Sequence, residues 1–181
     1  MNAHFRQRAD RRGFTLLEMM VYLLIVGVVL VSSTLFAYEF TITRVKSAAF
    51  QETERNARIA LARITSEIRR ADGYNLAGSV FGINPGQLSL IMPVASGRNP
   101  TVFAVAGGRL TIQQGAGPVL PLTSSKVNVT DLLIDDLSRP NKTKTFRIRL
   151  RAAYVTDLQY STAATELETT AQIKKSDGYS N

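Results

Sequence analysis

A run of 25 residues from Phe14 to Tyr38 carries a single charge, Glu18, and a basic stub holding Arg6, Arg8, Arg11 and Arg12 precedes it directly. Such a run is long enough to cross a hydrocarbon core of ~30 Å as one helix. A carboxylate inside that core costs ~2.5–3.5 kcal/mol on insertion scales, so Glu18 demands a compensating partner. Four arginines before the span, against only Arg44 and Lys46 soon after it, favour a cytoplasmic amino terminus with everything beyond Phe40 outside.

Three simpler readings explain part of this segment. A secretory signal peptide wants a shorter apolar core and a small-residue cleavage site. Ser32-Ser33-Thr34-Leu35-Phe36-Ala37 is a poor version of that site, and Glu18 interrupts the core. Arg11-Arg12-Gly13-Phe14 hints at a twin-arginine export signal and meets the same objections. A plain single-span anchor accounts for the hydropathy but for neither Glu18 nor the Gly13-Phe14 junction.

The order Arg11-Arg12-Gly13-Phe14-Thr15-Leu16-Leu17-Glu18 followed by an apolar run resembles the amino terminus of type IV prepilins and type II secretion pseudopilins. In that family a dedicated prepilin peptidase cuts between the Gly and the Phe and the new amine is methylated. The resemblance therefore implies cleavage between Gly13 and Phe14, N-methylation of Phe14, and assembly through Glu18. Phe14 would then carry an amine at the membrane edge, with Glu18 four residues on, one helical turn away. Glu18 would also lie where the helix dipole favours negative charge. Its carboxylate could neutralise its own amine or that of an adjacent subunit, and the second option turns a costly charge into a register pin. The implied partners are the prepilin peptidase, other pilin or pseudopilin subunits, and the inner membrane. Many pilins carry a proline in the second half of the span; here the first proline is Pro85.

Composition narrows the remainder. Without residues 1–13 the chain keeps 168 residues, and the net charge of +8 falls to +5, because the leader holds four Arg and Asp10. That length suits one anchor and one modest globular domain. There is no cysteine, and the single histidine, His4, lies in the leader. The mature chain so lacks the residues for a Ser-His-Asp triad, a Cys nucleophile or an ordinary zinc site. No enzymatic activity and no cofactor are expected.

Between Phe40 and Ala71 no Gly or Pro occurs, and Ala57, Leu61, Ile64, Ile68 and Ala71 fall on one helical stripe. Arg55, Arg58, Arg63, Glu67 and Arg70 fall away from it, and Asp72-Gly73 supplies the stop, with Gly as the residue after the cap. A coiled-coil stalk is disfavoured, because Glu52 and Asn56 interrupt the stripe. The rest reads as β. Strands are expected at Gln87–Ile91, Thr101–Val105, Arg109–Gln113, Val127–Leu137, Lys144–Tyr154 and Glu166–Lys174, with a tight hairpin at Gly107-Gly108. The organisation is a leader at 1–13, a membrane-spanning helix at 14–38, an amphipathic continuation at 39–72, a β-rich head at 73–174 and a flexible tail at 175–181. The fold class is α+β: a long N-terminal helix, membrane-spanning in its first half, packed against an antiparallel sheet.

A looser likeness covers 55–74 and 118–173. Arg55–Arg58 through Ile68–Tyr74, the turn Pro121-Leu122-Thr123 and Glu168–Ile173 are similar to segments of J-type pseudopilins and W-type minor pilins. This favours a minor subunit of a type IV pilus, competence or type II secretion filament.

One strand raises an alternative. Arg147, Arg149 and Arg151 alternate with Phe146, Ile148 and Leu150, so three guanidinium groups share a sheet face. A phosphate-binding stripe would suit a DNA-binding competence pilin. A wet sheet face with its apolar side on the helix is the plainer reading, and no aromatic side chain shares the arginine face to stack on bases. A third possibility is a membrane-tethered extracytoplasmic module outside any filament. Asp135-Asp136 lacks a third carboxylate in register for calcium, so no metal site is expected. The sequons Asn128-Val129-Thr130 and Asn141-Lys142-Thr143 are chance matches for a bacterial-type chain.

Overall fold

A computed structural model describes residues 13–139, 143–155 and 163–174. The leader 1–12 and the tail 175–181 lie outside the described residues. The described chain contains helix α1 (Leu16–Arg70) and eight strands: β1 (Gly73–Tyr74), β2 (Leu88–Ile91), β3 (Thr101–Ala106), β4 (Arg109–Gln114), β5 (Leu120–Pro121), β6 (Val127–Asp136), β7 (Thr145–Tyr154) and β8 (Ala164–Gln172). It divides into two compact units, Met1–Thr43 and Arg44–Asn181.

In the first unit the helix is apolar all round. An 18-residue window has a mean hydropathy of 2.4 and none of it is buried, so this helix is long and apolar enough to cross a membrane. Its serine and threonine hydroxyls past the first turn bond to the helix's own backbone. Ser32, Ser33 and Thr34 donate to the carbonyls of Val28, Val29 and Leu30 at 2.8, 2.8 and 2.9 Å. Bonding to the preceding turn removes the cost of carrying a bare hydroxyl into hydrocarbon.

In the second unit the helix becomes amphipathic and packs on β structure. Ala57, Ile64 and Ile68 are wholly buried, with Leu61 and Ala71 nearly so, and the stripe gains Ala60. Against it lie Leu88, Leu90, Phe103 and Leu110 from one sheet and Leu132, Ile134, Phe146, Ile148 and Leu150 from another. The expected single sheet is in fact two, one of five strands in the order β1-β2-β3-β4-β5 and one of three in the order β6-β7-β8. All described pairings are antiparallel. Two-residue strands β1 and β5 escaped the sequence reading because so short a pairing leaves no alternation to detect.

The hairpin between β3 and β4 turns at Gly107 and Gly108, with φ of 56° and 70°. Consecutive left-handed residues are what a two-residue turn matching strand twist requires. Gly73 behaves differently from expectation. It does not end the helix in the left-handed conformation; it opens β1 opposite Ile91, and the amide of Asp72 donates to the Ile91 carbonyl at 2.9 Å. Sheet pairing therefore stops α1, taking up the amide that a further helical turn would have used.

The outer edge of β6 is covered. Gly82 and Gly86 donate to the carbonyls of Ile134 and Leu132 at 2.9 and 2.7 Å, and the Asn84 Oδ1 accepts from the Leu132 amide at 3.0 Å. A Cβ on Gly86 would sit 3.0 Å from the Leu132 carbonyl oxygen, so this close approach depends on glycine.

Candidate functional site

At the amino-terminal end, Thr15 caps α1. Its Oγ1 accepts from the amide of Glu18 at 3.2 Å, and its carbonyl accepts from the amide of Met19 at 3.2 Å. Thr15 and Glu18 stand at the cap and third helical positions, the spacing of a capping box. That pattern is readable in the sequence and locates the helix start. The helix consequently begins at Leu16 and not at Phe14. Phe14 therefore precedes the first helical residue by two positions, and in the unprocessed chain its nitrogen is a peptide amide.

The junction itself is open. Gly13 and Phe14 are exposed, and a Cβ built on Gly13 meets no described atom within 4 Å. No described neighbour requires glycine at this position. The Phe14 ring packs edge-on against Tyr22, with centroids 6.2 Å apart. Glu18 is exposed in the first turn of α1, and its carboxylate has no described partner. The amide groups at this end of the helix favour negative charge there.

On β7 the three arginines share the outer face of the three-stranded sheet, with Phe146, Ile148 and Leu150 buried on the other side. Their neighbours change their meaning. In register, Arg147 stands opposite Asp135, Arg151 lies between Asp131 and Glu166, and Arg149 is opposite Glu168. Arg149 reaches Asp135 at 3.6 Å and Glu168 at 3.3 Å, and Arg147 reaches Glu168 at 3.5 Å. Exposed pairs such as these add little stability. They do cancel the field, because four carboxylates surround three guanidinium groups. A cavity of about 230 Å³ on this face, lined by Asn84, Asp131, Leu133, Arg149, Arg151 and Glu166, has the same mixed charge.

Asp135 and Asp136 do not converge. As consecutive strand residues they point to opposite faces. Asp135 meets Arg149, whereas Asp136 accepts from the Tyr74 hydroxyl at 2.7 Å and from the Ser138 amide at 2.8 Å. Burial raises the Asp136 carboxyl, but bonds from Ser138 and Tyr74 and the charge of Lys144 outweigh it, leaving the group below its ordinary range. The bond to Asp136, then burial, raises the Tyr74 hydroxyl.

Glu67 corrects the helix reading most. It is wholly buried, not solvated. Arg63 reaches its Oε1 at 3.0 Å and Arg98 its Oε2 at 3.4 Å. Arg63 is four residues away, but Arg98 arrives from the β2–β3 connection, and no local pattern announces that contact. Asn56, read as an interruption of the stripe, accepts from the Ser124 amide at 2.9 Å and so ties α1 to the loop before β6.

The family model of the prokaryotic N-terminal methylation motif matches residues 8–34. The match takes in the Gly13-Phe14 junction, the Thr15 cap and Glu18, and it supports a type IV pilin-like protein. No curated protein and no solved structure matches the chain.

Proposed function

We propose that this chain is a minor pilin or pseudopilin, a structural and assembly subunit of a type IV pilus-like or type II secretion filament rather than an enzyme. Prepilin peptidase cuts it between Gly13 and Phe14 and methylates the Phe14 amine. The apolar part of α1 anchors it in the inner membrane, with the leader cytoplasmic and the head extracytoplasmic. The observation that carries this reading is the methylation motif over residues 8–34, on a chain whose Gly13 and Phe14 stand exposed ahead of an unburied apolar helix.

Glu18 supplies the mechanism. After cleavage the Phe14 nitrogen is a cation, and an unpaired carboxylate in hydrocarbon is costly. Pairing Glu18 with the amine of a neighbouring subunit removes that cost only at the correct stagger, so the charge sets register during incorporation. The chain also carries the looser likeness to J-type pseudopilins and W-type minor pilins at Arg55–Tyr74 and in the last strand, which favours a minor over a bulk subunit. The carboxylates around Arg147, Arg149 and Arg151 weigh against the DNA-binding alternative.

Intact-mass and N-terminal analysis of membrane-extracted protein tests the reading. The mature chain begins at a methylated Phe14, and Gly13→Leu leaves the leader attached. Glu18→Val is cleaved normally but is depleted from sheared filaments or from the membrane assembly complex. An uncut Met1 or a start near residue 38 removes the precursor claim. Normal cleavage with undiminished incorporation of Glu18→Val leaves processing intact and removes the pairing mechanism. Cleavage with no co-fractionating subunits under any condition leaves the tethered module as the better description.

A further inference from the structure

We infer that the free edge of β8 is a docking site for an extended, acidic segment of another protein, which adds a strand beside it in the groove against α1. Among the described residues the sheet order β6-β7-β8 leaves β8 paired on one side only, whereas the loop 82–86 covers the opposite edge at β6. Backbone parity identifies the unused groups. Ile173 donates to Lys144 and Ala163 accepts from Tyr154, so odd-numbered residues from 163 to 173 turn their polar groups toward β7. Glu166, Glu168, Thr170 and Gln172 accordingly present amide and carbonyl groups to the open edge, with no partner among the described residues. A row of this kind is a template for strand addition.

The space beside the edge is shaped for a chain. A groove of about 640 Å³ runs between α1 and Leu167–Thr169, and a second cavity of about 560 Å³ continues it to Lys174. Arg69 lines both. The near end has an apolar floor of Leu61, Ala62 and Leu167. The far end is basic. Arg69 and Arg70 close the last turn of α1, Lys174 follows β8, and none of the three has a carboxylate partner among the described residues.

Charge selects the occupant. Inward-pointing carboxylates of an added strand would meet Arg69, Arg70 and Lys174, while its apolar residues would cover Leu61 and Leu167. A second copy pairing through its own β8 in a register centred on Leu167 would set Glu166 and Glu168 beside the same residues of its partner, an unfavourable juxtaposition. The site lies outside the amino-terminal machinery and does not depend on the proposed function.

The test uses the full chain in detergent micelles and two labelled, end-capped peptides, TETETVTVT and its basic counterpart TKTKTVTVT. The acidic peptide binds at least tenfold more tightly, and it slows amide exchange at Glu166, Glu168, Thr170 and Gln172 while leaving the odd-numbered amides unchanged. Thr170→Pro removes one edge donor without losing a ladder bond and lowers affinity at least tenfold. Arg69→Gln/Arg70→Gln, which leaves the strand intact, lowers it at least fivefold and keeps the question decidable should the proline variant not fold. Equal affinity for the two peptides, unaltered exchange at the even-numbered amides, or full binding by either folded variant overturns the proposal. Self-association abolished by Thr170→Pro also overturns it, by making the occupant a second copy.

Discussion

The Tyr74 hydroxyl donates a 2.7 Å hydrogen bond to Oδ2 of Asp136, linking β1 of the five-stranded sheet to β6 of the three-stranded one. The Tyr74 ring also stands edge-on to Phe146 and Phe81, at centroid separations of 5.1 and 5.8 Å. One side chain thus joins the two sheets through both a polar and an aromatic contact.

This bond makes stability depend on pH at both ends. Asp136 is held below its ordinary value of 3.8, so its contribution is present above that pH and is lost as acid protonates the folded carboxylate. Tyr74 is held above its ordinary 10.0, so its contribution is present below that pH and is lost as alkali ionises the folded hydroxyl. Tyr74→Phe should cost about 1–2 kcal/mol near neutrality, in line with a partly exposed hydrogen bond to a charge. Thermal melts of the full chain across pH check this, and the difference between variant and wild type should shrink at both extremes.

Glu67 offers a test of buried charge. Arg98→Ala leaves the carboxylate with Arg63 alone and should destabilise by about 1–3 kcal/mol. Glu67→Leu removes the buried charge itself, and the arginines it leaves behind, with side chains 41% and 34% exposed, keep their access to water, so the cost should be smaller. A double-mutant cycle with both substitutions measures the coupling. If the two single variants melted alike, the burial of this carboxylate would not set the energetics.

The two faces of α1 should respond differently. Ile64 is wholly buried, whereas Ile59, five residues earlier, is 54% exposed. Ile64→Ala should cost about 2–5 kcal/mol, and Ile59→Ala should change the melting midpoint little. Equal effects would mean that the stripe does not form the core.

The net-positive protein should bind duplex DNA weakly, with affinity falling steeply as salt is added. Substituting Arg147, Arg149 and Arg151 with Gln should alter that binding little, because the surrounding carboxylates already cancel their field. Glu166→Gln/Glu168→Gln should strengthen binding by freeing Arg147 and Arg149 from Glu168 and removing the charge opposite Arg151. A large loss in the arginine variant that persists at physiological salt would raise DNA capture above the structural reading.

Much of this protein is legible without coordinates. The apolar run, the Gly13-Phe14 junction and Glu18 are local signals, since hydropathy and a short motif need no distant partner. The stripe at Ala57, Leu61, Ile64 and Ile68 follows from helical periodicity, and the longer strands follow from alternation. The capping spacing of Thr15 and Glu18 was equally present in the sequence, and it moves the start of the helix to Leu16.

Other features depend on groups that only folding brings together. Glu67 is buried because Arg98, 31 residues away in sequence, reaches it from the β2–β3 connection. Gly73 pairs in β1 instead of capping α1 because Ile91 offers it a strand. Alternation along β7 puts three arginines on one face, but whether that face is basic depends on Asp131 and Asp135 from β6 and Glu166 and Glu168 from β8. Periodicity determines which way a side chain points relative to its own element. What it points at is decided by register between strands, and register is a property of the assembled sheet.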